Sequence, residues 1–183
     1  RLNTGGITLH EQEIRNCVYK GEFNEFIKKL AKDDRFNLAV KRSDTTTRGN
    51  LEELLLKFFA YYEDRNEFNH SVKDFLNAYM EKKTKNYGNL GKLVALFNGV
   101  MYIIEKELPE GIVRGNRKNT TPLVLYEAVV VGIADLVSKN IAINGKKLRE
   151  VLDDEELKKL TTGATNSSKR LLARISYVSN YIR

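Results

Sequence analysis

The stretch "PLVLYEAVVVGIADLVSK", residues 122–139, decides the fold class. Apolar side chains fill nearly every position, and Glu127 and Asp135 are its only acids. A helix that is apolar all round has no face to give to water, so it belongs at the centre of a molecule built from helices. Pro122 suits a first helical position, where a missing N–H costs nothing, and Thr121 before it reads as the N-cap. "VVV" alone would suit a strand, but it sits inside a longer helical pattern, and "NIAING" (140–145) is too short to count.

Helical periodicity extends outward from this segment in both directions. Residues 90–108 form a long helix closed by Pro109, with Leu90, Leu93, Phe97, Met101, Ile104 and Leu108 facing inward. Ser71 and Asp74 open an earlier helix as a capping box, and Val72, Phe75, Leu76, Tyr79 and Met80 make its buried stripe. Leu51, Leu54, Leu55, Phe58, Phe59 and Tyr62 line the one before, for which Asn50 is the expected N-cap after the polar loop 41–50. Phe23, Phe26, Ile27, Leu30 and Ala31 recur with helical spacing, and Thr8 with Glu11 caps a helix over residues 9–20 that Gly21 stops. Short helices at 146–160 and a last one at 167–182 complete an all-α fold. The expected architecture is an irregular orthogonal bundle of about seven to nine helices, without internal repeats or linkers.

A chain of 183 residues suits one domain that buries about 70% of its unfolded surface. With 42% hydrophobic and 30% charged residues it falls outside the disordered class. Cys17, the single cysteine, excludes an internal disulfide and a cysteine-based zinc cluster and points to the cytoplasm. No run of about 18 apolar residues is present to span a membrane, and the opening residues lack the charged-then-apolar layout of a signal peptide. The net charge of +7 is uneven: 16 basic against 14 acidic side chains in residues 1–90, then 15 against 10 in residues 91–183. Beyond Glu156 every charge is positive, a footprint that suits nucleic acid.

The opening residues Arg1, Leu2, Asn3, Gly5, Gly6, Leu9, Glu13, Ile14, Arg15 and Asn16 follow the pattern N-x-G-G-x-x-L-x-x-x-E-[IL]-R-N. That pattern resembles the middle of the GmrSD-type domain, the ParB/sulfiredoxin-like module of modification-dependent restriction endonucleases and related anti-phage proteins. Four later segments extend the similarity: "GEFNEFIKKLA" (21–31), "EELLLKFFA" (52–60), "FLNAYM" (75–80) and the Arg174–Ile175 helix. The family's Asp-Gly-Gln-Gln-Arg segment has no match here. The resemblance therefore implies the C-terminal helical half of a larger α+β domain, lacking the preceding ParB-like half. It implies a parent protein that recognises modified or foreign DNA, with a nucleoside triphosphate and a divalent metal as cofactors of that parent and none in these residues.

Within the motif, Asn3 and Gly6 either cradle a phosphate ahead of a helix N-terminus or form a plain turn. Glu13, Arg15 and Asn16 either face a pocket or the absent half, or are solvated, Arg15 pairing with Glu11 one turn away. The absent half would leave an apolar surface on the opening helix, through which the chain could form a homodimer. Ile14, Cys17 and Val18 form that helix's apolar face, which makes Cys17 a small core residue. His10, Glu13 and Cys17 have no H-E-x-x-H context that would make them metal ligands.

In the last helix, Arg170, Arg174, Tyr177 and Tyr181 share one stripe, the first and last only about 20° apart. With Arg114, Arg117 and Lys118 in the loop "PEGIVRGNRKNT" (109–120), the stripe suits phosphate contact and base stacking, or else a core boundary with arginine stems lying along it. Glu127 and Asp135 are about 12 Å apart along their helix, too far for a catalytic pair, and are expected at a solvated edge. No catalytic residue emerges. The leading expectation is the helical subdomain of a restriction or anti-phage protein. The alternatives are a non-enzymatic scaffold or protein-interaction domain, and an autonomous nucleic-acid-binding module.

Overall fold

The computed structural model describes residues 9–41, 50–115 and 117–183. Asn3, Gly5, Gly6, Thr8 and residues 42–49 of the polar loop lie outside them. The described residues hold no strand and ten α-helices: α1 Glu11–Val18, α2 Glu22–Leu30, α3 Asp34–Ala39, α4 Asn50–Asp64, α5 Val72–Lys85, α6 Leu90–Glu107, α7 Leu123–Val137, α8 Gly145–Val151, α9 Glu155–Thr161 and α10 Ser168–Tyr181. The fold is all-α. No helix among the described residues is long and apolar enough to cross a membrane.

α7 is buried without a break from Leu125 to Ala134, and it packs against α4, α6 and α10. Each fully buried Val, Leu or Ile on it contributes about 1.5–3 kcal/mol relative to an exposed one. Glycines let its neighbours approach. A Cβ on Gly132 would lie 2.8 Å from Val178 Cγ1 of α10, and one on Gly99 of α6 would lie 2.8 Å from Val137 Cγ1 of α7.

The cap anticipated at Ser71 holds, its hydroxyl accepting from the N–H of Asp74, and the Ser167 hydroxyl caps α10 by accepting from the N–H of Arg170. Three expectations at helix starts are corrected. α1 begins at Glu11 after His10, whose backbone N–H donates to the Glu13 carboxylate at 2.9 Å. Asn50 is the first helical residue of α4 and not the one before it. Pro122 itself is the N-cap of α7. The Thr121 hydroxyl instead accepts from Lys41 N–H at 2.9 Å, while Thr121 N–H donates to Lys41 carbonyl at 2.8 Å. This two-bond clasp, continued by Ile112 N–H to Ala39 carbonyl, ties the end of α3 to the loop before α7. Gly111 is where the two segments touch. Its φ of +84° and the 2.8 Å from a notional Cβ to Leu38 O leave no room for another residue.

α1 reverses the amphipathic expectation. Gln12 and Arg15 are its buried residues, while Ile14 and Val18 are 41% and 64% exposed, and Cys17 is exposed with them. The expected core role of Cys17 is therefore wrong. α1 rests on α4 and α5 through polar side chains, for which the partners supply the reason.

Candidate functional site

Arg15 is 2% exposed, and its guanidinium has three partners: Nε donates to Gln12 at 2.8 Å, Nη2 to the Glu53 carboxylate, and Nη1 reaches Asn77 at 3.5 Å. The neighbouring Asn16 donates to Glu52, and Asn24 donates to the Asn16 carbonyl. Burial pushes the Arg15 guanidinium below its ordinary value, with Glu53 and then Glu11 opposing. The direct salt bridge of Arg15 is thus to Glu53 of α4, while Glu11 acts on it only at longer range and pairs directly with Lys73 at 2.9 Å.

From Glu53 the charges continue inward. Glu53 and Lys57 stand four residues apart on one side of α4, with nitrogen and oxygen 3.4 Å apart. Lys57 lies 3.6 Å from Glu127 of α7, and Glu127 accepts from Arg174 of α10 at 2.8 Å. Arg15, Glu53, Lys57, Glu127 and Arg174 therefore form one alternating chain of charge across four helices. Pairing is what makes it tolerable, because an isolated buried charge costs several kcal/mol. Arg174 also donates to the Thr165 carbonyl at 2.9 Å, and its Nε is buried without a partner among the described residues.

A cleft of about 430 Å³ opens over this chain. Arg15, Glu53, Lys57 and Glu127 line it together with Glu11, Lys73, and Leu123 and Val124 of the first turn of α7. Among the described residues, no group of three or more His, Cys, Asp or Glu side chains is placed to hold a metal ion.

The structure separates the residues grouped by sequence. Glu13 caps α1, whereas Arg15 and Asn16 point into the helical body. Asn3 and Gly6 lie outside the described residues. Arg174 is 1% exposed and cannot reach a phosphate backbone, so its place in a surface stripe is corrected. Arg170, on the same stripe, donates to the carbonyls of Lys159 and Thr162 and closes the end of α9. Tyr177 donates to Asp154 at 2.8 Å and packs on Tyr181, ring centroids 5.9 Å apart. Burial, then that bond, pushes the Tyr177 phenol up to about 12.

Arg114 donates to the Leu152 carbonyl and the Thr161 hydroxyl. Arg117 and Lys118 are exposed, Lys118 lying 3.1 Å from Glu110. The stripe is a core boundary along most of its length. Glu127, expected at a solvated edge, is 5% exposed, because Arg174 and Lys57 meet it inside. Asp135 pairs with Arg65 at 2.9 Å.

Sequence reasoning missed Glu53, Lys57 and Asn77. The available signal was a Glu–Lys pair at i, i+4 within the otherwise apolar "LLLKFFA" helix, since charges in such a run must find partners. No protein-family model, no curated protein and no solved structure matches the chain.

Proposed function

We propose that this chain is the helical half of a GmrSD-like restriction or anti-phage defence protein of the cytoplasm, supporting nucleotide-dependent DNA recognition and cleavage by its parent. One observation carries the proposal. Arg15 of the opening motif bonds at once to Glu53 of "EELLLKFFA" and to Asn77 of "FLNAYM", so segments chosen for their resemblance converge on one side chain. Asn24 of "GEFNEFIKKLA" and Arg174 of the last helix join the same polar network. In this proposal α1 is the connector: its polar side is fixed to the helices, and Ile14, Cys17 and Val18 are left for a ParB-like α+β half.

The test is to join this chain to such a half from its own gene and to measure nucleotide hydrolysis with modified and unmodified DNA. The joined protein should hydrolyse nucleotide in a DNA-dependent way, and the present chain alone should not. A joined protein with neither hydrolysis nor cleavage, or turnover by the present chain alone, overturns the proposal.

A non-enzymatic scaffold is favoured by a separate observation. Arg114, Arg170 and Arg174, three of the five cations named for DNA contact, are each bonded to internal acceptors.

A further inference from the structure

α1 is attached to the rest of the molecule almost without apolar contact. Of the apolar side chains between Leu9 and Tyr19, Tyr19 alone packs against the core cluster, while Leu9, Ile14 and Val18 are exposed. What holds the helix is polar. Arg15 meets Glu53 of α4 and Asn77 of α5, Asn16 donates to Glu52 of α4, Glu11 pairs with Lys73 of α5, and Asn24 of α2 donates to the Asn16 carbonyl. Hydrophobic burial, which joins the other helices, contributes little here, and water and salt compete for the contacts that replace it.

Each of these contacts can also be given up at little cost. Glu53 is 28% exposed and has a second cation in place, the Lys57 ammonium 3.4 Å away on its own helix, so losing Arg15 does not strand a buried carboxylate. The charges left on the body, Glu53, Lys57, Glu127 and Arg174, still alternate and balance. Lys73 and Glu11 are 58% and 44% exposed, as in an ordinary surface pair. Gln12, buried under α1, bonds to Arg15 and Asn16 of the same helix and leaves together with them. Asn24 keeps a buried Oδ1 without a partner among the described residues while α1 is docked, a penalty that ends once water reaches it. α7, by contrast, cannot move away without exposing the run from Leu125 to Ala134.

We infer that α1 is an electrostatic latch, which docks on and releases from an otherwise intact helical body. Release takes Glu11 and Arg15 out of the lining of the cleft of about 430 Å³ and opens it, and an eight-residue helix without tertiary support unwinds as it leaves. The latch depends on these contacts and not on the family proposed above, since neither nucleotide nor DNA enters its test.

That test is hydrogen exchange on the whole chain, read by mass spectrometry. At low salt the α1 amides should be protected, yet exchange at least about a hundredfold faster than those of α7, because release reaches them without global unfolding. Raising the ionic strength to about 1 M should speed α1 about fivefold and leave α7 unchanged. Arg15→Gln should speed α1 about tenfold, with α7 exchange and the urea midpoint both where they were. Lys73→Gln, at an exposed site outside α1, should speed it about twofold. If α7 accelerates in step with α1, or if Arg15→Gln lowers the urea midpoint or does not fold, α1 belongs to the cooperative core and the latch is overturned. It is overturned equally by an α1 unprotected at low salt, or by one whose protection neither salt nor Lys73→Gln alters.

Discussion

Arg174 and Glu127 are 1% and 5% exposed, so neither can shed its partner into water. Arg174→Leu should cost about 3–5 kcal/mol in urea denaturation by leaving Glu127 short of a cation, and adding Glu127→Leu should recover much of that. A loss below about 1 kcal/mol would mean that the pair behaves like a surface bridge. For the same reason, replacing Arg170 and Arg174 together with alanine should lower the melting temperature and leave the salt dependence of any DNA binding unchanged. A slope flatter by about 0.9 per arginine would restore the phosphate-contact role. Asp33 offers a residue-scale pH test. The Arg35 guanidinium bonded to it holds its carboxyl below the usual 3.8, with the backbone N–H groups of Arg35 and Phe36 at the start of α3 contributing. A lowered folded pKa stabilises above the unfolded value, and that contribution is lost as pH falls through the folded one. Asp33→Ala should therefore cost about 0.5–2 kcal/mol at neutral pH, and its gap from the parent should narrow below pH 3.8. Residue roles were the least legible part of the sequence. Apolar spacing placed Ile14, Cys17 and Val18 inside, whereas the winning contacts belong to Arg15 and lie 38 and 62 positions away.

At the scale of elements, α7 was legible because its composition leaves only one place for it, and α5 and α6 because their stripes run for several turns. α3 was not: six residues span less than two turns, too few for a period to show. Buried charge also hid the true width of the α4 interface, since Leu56, Lys57, Ala60 and Tyr61 are buried along with the anticipated stripe. The helix most sensitive to small changes should be α7. Alanine has the better helix propensity by about 1 kcal/mol, yet Gly132→Ala should destabilise by about 1–3 kcal/mol, because its methyl would overlap Val178. Val178→Ala in the same protein should relieve much of the loss. A stabilised Gly132→Ala variant, read from the urea midpoint, would show that α7 and α10 can separate at little cost.

Among the described residues, α1 presents an apolar strip that no other helix covers. Ile14→Glu with Val18→Glu should reduce self-association in light scattering while leaving the melting temperature within a degree or two, because neither side chain enters the core. If the parent chain is already monomeric at high concentration, that strip is not a dimer contact. The central position of α7 also bears on how the protein is made. Among the described residues it follows six helices, and α10, with which it packs most extensively, comes later still. While the ribosome adds about 5–20 residues per second, the earlier helices wait for several seconds with the apolar surfaces meant for α7 uncovered. Nascent chains of this protein should therefore depend on chaperone shelter until α10 emerges, and a stop codon before Ser168 should yield aggregate instead of a smaller folded core.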